Sequence, residues 1–200
     1  MVVMQRTAEL PGISPAPGEL EIVRRFVNTL DIESGTDELD SPGALLGWLR
    51  ESGLAGPGQD RQAGGPVNEA DLRRAVVLRE ALRGVLSCHG ASAPASAAAA
   101  ARLREAAAAL RIHFEVSHDG QVAAAPGGSG VTADLARLLL IAADAATTGT
   151  WNRLKVCSAE DCQWAFYDRS PTRTGCWCSM RGCGSRAKSR AYRRRARKTE

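Results

Sequence analysis

Cys157 and Cys162 are separated by four residues, and so are Cys178 and Cys183, with fifteen residues between the two pairs. Two short knuckles joined by a loop can bring four thiolates onto one tetrahedral ion. Zinc suits four soft sulfur ligands, adds no redox chemistry and needs no open position in a structural role. The same thiols could hold an iron–sulfur cluster, or they could be free. Gly182 and Gly184 flank Cys183 and let backbone amides turn toward sulfur. Cys176 breaks the four-residue spacing and is read as a free thiol, although it could replace a neighbour as ligand. The expected zinc ligands are Cys157, Cys162, Cys178 and Cys183, with zinc–sulfur distances of about 2.3 Å.

The second chemical feature is charge. The net charge of +4 divides into −5 for residues 1–150 and +9 for residues 151–200. An acidic body with a basic end implies a polyanionic partner for the end alone. A helix starting near Cys183 would place Arg186, Arg190, Arg193 and Arg197 on one stripe at 100° per residue, with Arg194 beside it and Tyr192 elsewhere. Such guanidinium groups, together with Lys188, match phosphate spacing and reach base edges in a major groove. The plain alternative is a solvated basic tail.

Other residues carry less. His89, His113 and His118 are scattered with no partner at metal-ligand spacing, and His113 and His118 are expected on the surface. Cys88 is read as a small core residue on a helix. Trp164, Phe166, Tyr167 and Trp177 are expected to cover the metal as a minimal core; stacking on exposed bases is the sharper alternative. Asp168 is expected to cap a turn or pair with a nearby arginine. No nucleophile–base set, phosphate loop or carboxylate pair stands out, so the chain is not expected to be an enzyme.

The elements that must position these residues are mainly helical. Aromatics are only 4% of a chain that is 44% hydrophobic, so its core is built from Leu, Val and Ala, which favour helix. Leu20, Val23, Phe26, Val27 and Leu30 give one apolar face over Glu19 to Leu30. Ser41-Pro42 offers an N-cap and a first-turn proline before Leu45, Leu46, Trp48 and Leu49, with Gly53 closing the helix. Gly56 to Pro66 reads as a loop. Asn68 caps a helix to about Ser87, and Gly90 to Ser96 is a break before an alanine-rich helix to about Leu110. Ile112, Phe114 and Val116 then alternate, Asp119-Gly120 turns, and Val122 and Ala124 return as a hairpin. Pro126 to Gly130 is a loop, and Thr132 caps a last helix to about Thr148. The expected architecture is an α-rich domain over 1–150 with a small β-hairpin, then a four-cysteine zinc module with a basic C-terminal helix over 151–200. Met1 to Gly12 has no apolar run, and no stretch reaches membrane-spanning length, so a cytoplasmic protein without membrane attachment is expected.

The cysteine segment resembles the CGNR zinc-finger family. The resemblance rests on Cys157-x4-Cys162, Trp164, Phe166-Tyr167-Asp168 with Ser170, Trp177-Cys178-Ser179-Met180, and Cys183-Gly184-Ser185-Arg186 followed by Lys188. The upstream segment resembles the family's companion, the α-rich ABATE domain, through Phe26-Val27-Asn28-Thr29-Leu30, the Ser41-Pro42 helix and Trp48. Departures are Ser185 in place of the asparagine of the family name, Gly175 and Cys176 where relatives carry arginines, and Thr172 near an expected asparagine. The resemblance implies a stress-induced transcription regulator whose finger contacts DNA. The rivals are an RNA-binding or ribosome-associated zinc protein and an enzyme with its site in the N-terminal domain. A regulator also implies an input, so a small-molecule effector or self-association into a homo-oligomer is expected of residues 1–150.

Overall fold

The computed structural model describes residues 13–55, 65–89 and 96–197. The expectations for Met1 to Gly12, for most of the Gly56 loop and for the Gly90 break lie outside the described residues. Among those described are six α-helices and three antiparallel strand pairs, a mainly helical fold. The helices are α1 (Leu20–Val27), α2 (Pro42–Glu51), α3 (Glu69–Leu86), α4 (Ala97–Ala108), α5 (Gly130–Thr147) and α6 (Ser185–Ala196). The pairs are β1 (Leu30–Asp31) with β2 (Thr36–Asp37), β3 (Ile112–Val116) with β4 (Val122–Pro126), and β5 (Leu154–Val156) with β6 (Ala165–Tyr167). None of these helices is long and apolar enough to cross a membrane.

Local signals set most boundaries. The Ser41 hydroxyl accepts the Ala44 N–H at 3.2 Å, and Pro42 opens α2. Asn68 and Asp71 form a reciprocal capping box at the start of α3. Three expectations need correction. The first helix stops at Val27 rather than Leu30, because Asn28 and Thr29 turn the chain into β1 and spend their side chains on other contacts. The last helix of the body begins at Gly130, not after a Thr132 cap, because Gly130 takes φ +67° and turns the chain straight into it. Finally, α3 ends at Leu86, so Cys88 lies beyond the helix, half-buried, with its thiol 3.4 Å from the Gly84 carbonyl rather than in the core.

One apolar core joins these elements. Val23, Phe26 and Val27 of α1, Leu45 and Leu49 of α2, Leu82 and Leu86 of α3, and Leu135 and Leu138 of α5 are fully enclosed. Phe26 meets Trp48 with ring centroids 5.2 Å apart. Each such side chain contributes roughly 1.5–3 kcal/mol when removed from water. Strand alternation brings β5 and β6 into the same core. Leu154, Val156 and Ala165 pack among the helices, while Lys155 and Phe166 occupy the other face of the pair. The cysteine segment is therefore seated on the helical body by its first hairpin.

Two buried arginines brace that seat. Arg79 grips Asp37 with two hydrogen bonds, at 2.6 and 2.9 Å, and also donates to Thr29. Arg83 donates to the Val27 carbonyl at 2.6 Å and to the Gln163 carbonyl at 2.9 Å, tying α3 to the residue after Cys162.

Candidate metal centre

The first knuckle grows from the end of β5. Cys157 N–H donates to Trp164 O at 2.9 Å, continuing the β5–β6 ladder. The chain then folds back: Cys162 N–H and Gln163 N–H both donate to Ala159 O at 3.0 Å. Gln163 takes φ +50°, a rare conformation for a residue with a side chain, and the bond from Arg83 to its carbonyl holds it there. The second knuckle is a single π-type turn, Met180–Gly184, opened by Ser179. The Ser179 hydroxyl accepts from Gly182 N–H and its carbonyl from Gly184 N–H. A Cβ on Gly184 would sit 3.0 Å from Met180 Sδ and 3.5 Å from the Trp177 ring, so a side chain there would require the Met180 thioether to move aside.

These turns bring together Cys157, Cys162, Cys178 and Cys183. Their sulfur atoms all lie within 4.8 Å of one another, with Cys162–Cys178 at 3.6 Å and Cys178–Cys183 at 3.7 Å. An ion at about 2.3 Å from each of four tetrahedral sulfurs spaces them about 3.8 Å apart. The arrangement fits zinc in size, ligand number and softness. Its electrostatics point the same way. Hydrogen bonds from Cys162 and Cys178 pull the Cys157 thiol far below its usual range, and that thiolate in turn pushes Cys162 and Cys178 up. Four crowded thiols can shed their protons together only around a cation.

The surroundings are equally specific. Trp164 and Trp177 pack against the cysteines; Tyr167 packs against the helical core instead. Cys176 is half-buried and does not belong to the sulfur quartet; its carbonyl accepts the Ser158 N–H. Asp168 does cap a turn, accepting the Ser170 N–H at 2.9 Å. Its ion-pair partner is Lys155 at 2.7 Å, not an arginine, because strand alternation turns Lys155 inward beneath it. Lys155 also donates to the carbonyls of Arg173 and Gly175, so the loop before Trp177 is wrapped around one ammonium. Burial raises the Asp168 carboxyl, but bonds from Lys155, Ser170 and Gly175 outweigh it and hold it at about 2.

Helix α6 leaves the second knuckle directly. It contains six basic residues and no acid. Arg186 lies closest to the metal site. Its Nη2 is 3.1 Å from Cys183 Sγ, and the same guanidinium forms an ion pair with Glu33 of the β1–β2 turn. Arg190 faces Asp161 at 3.6 Å. Lys188, Arg193, Arg194 and Arg197 are exposed. A groove of about 650 Å³ runs beside the cysteines and is lined by Glu33, Arg181, Arg186, Arg190 and Arg193 among others. The sequence reading singled out the α6 cations but missed Asn28, Arg83, Glu33 and Lys155. Asn28 lay within a motif that carried the family resemblance; the others gave no local signal.

Comparison with known proteins agrees with this geometry. Residues 153–196 match the family described as "CGNR zinc finger". Residues 21–150 match ABATE, described as "Putative stress-induced transcription regulator". No curated protein matches the chain. The sulfur quartet falls inside the matched finger, and zinc is the cofactor of this segment.

Proposed function

Because the chain belongs to the ABATE family and carries a CGNR zinc finger, we propose that it is a regulator that binds duplex DNA through α6. One zinc ion held by Cys157, Cys162, Cys178 and Cys183 would fix the start of that helix. The observation that carries the reading is that an acid-free helix with six cations springs from the last cysteine's turn, with none of its side chains buried. The metal orders the turn, the turn aims the helix, and the helix presents Lys188, Arg190, Arg193, Arg194 and Arg197 to phosphates. Arg186, bound to Glu33 and Cys183, orients the helix base. Residues 1–150, with net charge −5, would serve as the input part. An apolar groove of about 630 Å³ between α3 and α4, rimmed by Arg73 and Arg102, offers room for a small-molecule effector.

Binding of the zinc-loaded chain to duplex DNA, measured against salt, tests this. About four to six phosphate contacts give a log–log slope of roughly −4 to −5. Changing Arg190 and Arg193 together to Ala should weaken binding and lower the slope by about two. Both are exposed, so zinc content should not change. Wild-type affinity and slope in the double variant would refute the assignment, and tighter binding to structured RNA than to duplex DNA in competition would replace DNA by RNA.

A further inference from the structure

The β3–β4 hairpin presents an uncovered apolar face. All five residues of β3 are exposed. Ile112, Phe114 and Val116 are 43%, 75% and 68% exposed, and Val122 across from Val116 is 65% exposed. Alternation places these four on one face of the pair. His113 and Glu115 share the opposite face, 3.1 Å apart. An exposed edge strand is normally guarded by lysine, proline or a bulge, and β3 has none of these.

The hydrogen-bond phase of the hairpin shows which backbone groups are free. Gly127 N–H donates to Arg111 O at 2.7 Å, and Ser117 N–H donates to Gln121 O at 2.9 Å. In an antiparallel ladder such pairs recur at every second residue. Arg111, His113, Glu115 and Ser117 therefore direct their backbone groups toward β4. Ile112, Phe114 and Val116 direct theirs outward, to an edge that pairs with no strand among the described residues.

We infer that a second copy of this chain adds to that edge, β3 against β3, antiparallel about a two-fold axis through Phe114. The register follows from the residues. Phe114 faces its own counterpart, and Ile112 faces Val116 of the partner subunit, each as a hydrogen-bonded pair. His113 then faces Glu115 of the partner subunit, twice by symmetry. These are the non-hydrogen-bonded pairs, whose Cα atoms approach to about 4.5 Å and whose side chains lie closest. Moving the axis by one residue keeps the hydrogen-bond phase, since even-numbered residues still meet even-numbered ones, but sets His113 against His113, or Glu115 against Glu115. Among these axes, the one through Phe114 pairs His113 with Glu115 twice and opposes no like residues on the polar face. The result is a closed, isologous contact and a four-stranded sheet in place of a two-stranded hairpin, which is marginal alone.

Sedimentation velocity of the full zinc-loaded chain over a concentration series tests the inference independently of DNA. A concentration-dependent dimer is expected. Phe114→Pro removes an outward N–H without touching the ladder to β4, so it should leave a monomer with unchanged zinc content and circular dichroism. Glu115→Lys takes the carboxylate away from His113 of the partner subunit and should weaken the dimer roughly tenfold. Adding His113→Glu to it restores opposite charges and should recover the dimer; this charge swap decides the matter even if the proline variant fails to fold. A wild-type chain that stays monomeric, or a dimer indifferent to the charge variants, would overturn the proposal.

Discussion

The side-chain amide of Asn28 closes both free backbone hydrogen bonds of Ala165: its Nδ2 donates to the Ala165 carbonyl at 2.9 Å, and its Oδ1 accepts the Ala165 N–H at 2.7 Å. One residue at the end of α1 thus acts as a missing strand for β6, joining residues 137 positions apart and seating the first knuckle on the helical body.

Asn28→Ala leaves that buried N–H and C=O unpaired. Each orphaned group costs about 1–3 kcal/mol, so a loss of roughly 2–6 kcal/mol is expected in urea unfolding. An unchanged midpoint would show that water replaces the amide.

Removing Asp168 strands the Lys155 ammonium, which is 2% exposed. Asp168→Asn should cost about 3–5 kcal/mol, while replacing both partners with apolar residues of similar volume should recover most of it. The pH dependence has a definite sign. The carboxyl is held at about 2, below its ordinary 3.8, so its stabilisation is complete above about pH 4. It is lost as pH falls from there through about 2. The stability gap between wild type and Asp168→Asn should therefore be constant above that window and shrink within it; a gap that grows on acidification contradicts the pairing.

Gly175 is held against the same carboxylate. A Cβ there would lie 2.9 Å from Asp168 Cγ, so Gly175→Ala should destabilise the chain by about 1–3 kcal/mol through overpacking. Thermal unfolding checks this, and a fully tolerated alanine would mean the loop can retreat.

Zinc analysis should give one ion per chain, lost on Cys178→Ser and retained on Cys176→Ser. Stripping the metal should unfold the Cys157–Cys183 segment, because metal binding and folding are linked in so small a unit. Retention of its near-ultraviolet tryptophan signal after chelation would argue against that linkage.

If α6 binds DNA as proposed, the Arg186–Glu33 ion pair would have to compete with phosphate. Glu33→Gln should tighten DNA binding and steepen its salt slope by about one phosphate contact, opposite in sign to the α6 arginine variants. No change would leave Arg186 as a purely positioning group for the metal turn.

Local pattern by itself determined a good part of this protein. The clustering of the four thiols was legible because each pair is spaced for one tight turn, and a turn is a local event. The caps at Ser41 and Asn68 and the Ile112–Val116 hairpin were legible for the same reason. The α6 cations followed from helix geometry alone. The tertiary structure decided what no period or spacing encodes. Arg79 and Arg83 lie on α3 like any helical arginines, and only long-range acceptors at Asp37, Val27 and Gln163 make it feasible to bury them. Lys155 became buried because Asp168 and two loop carbonyls close over it. The α6 stripe, uniform in the sequence, was divided by Glu33 and Asp161. The physical reason is common to all of them: a charge or amide is buried only where distant partners replace its water, and the sequence does not show which distant residues will meet.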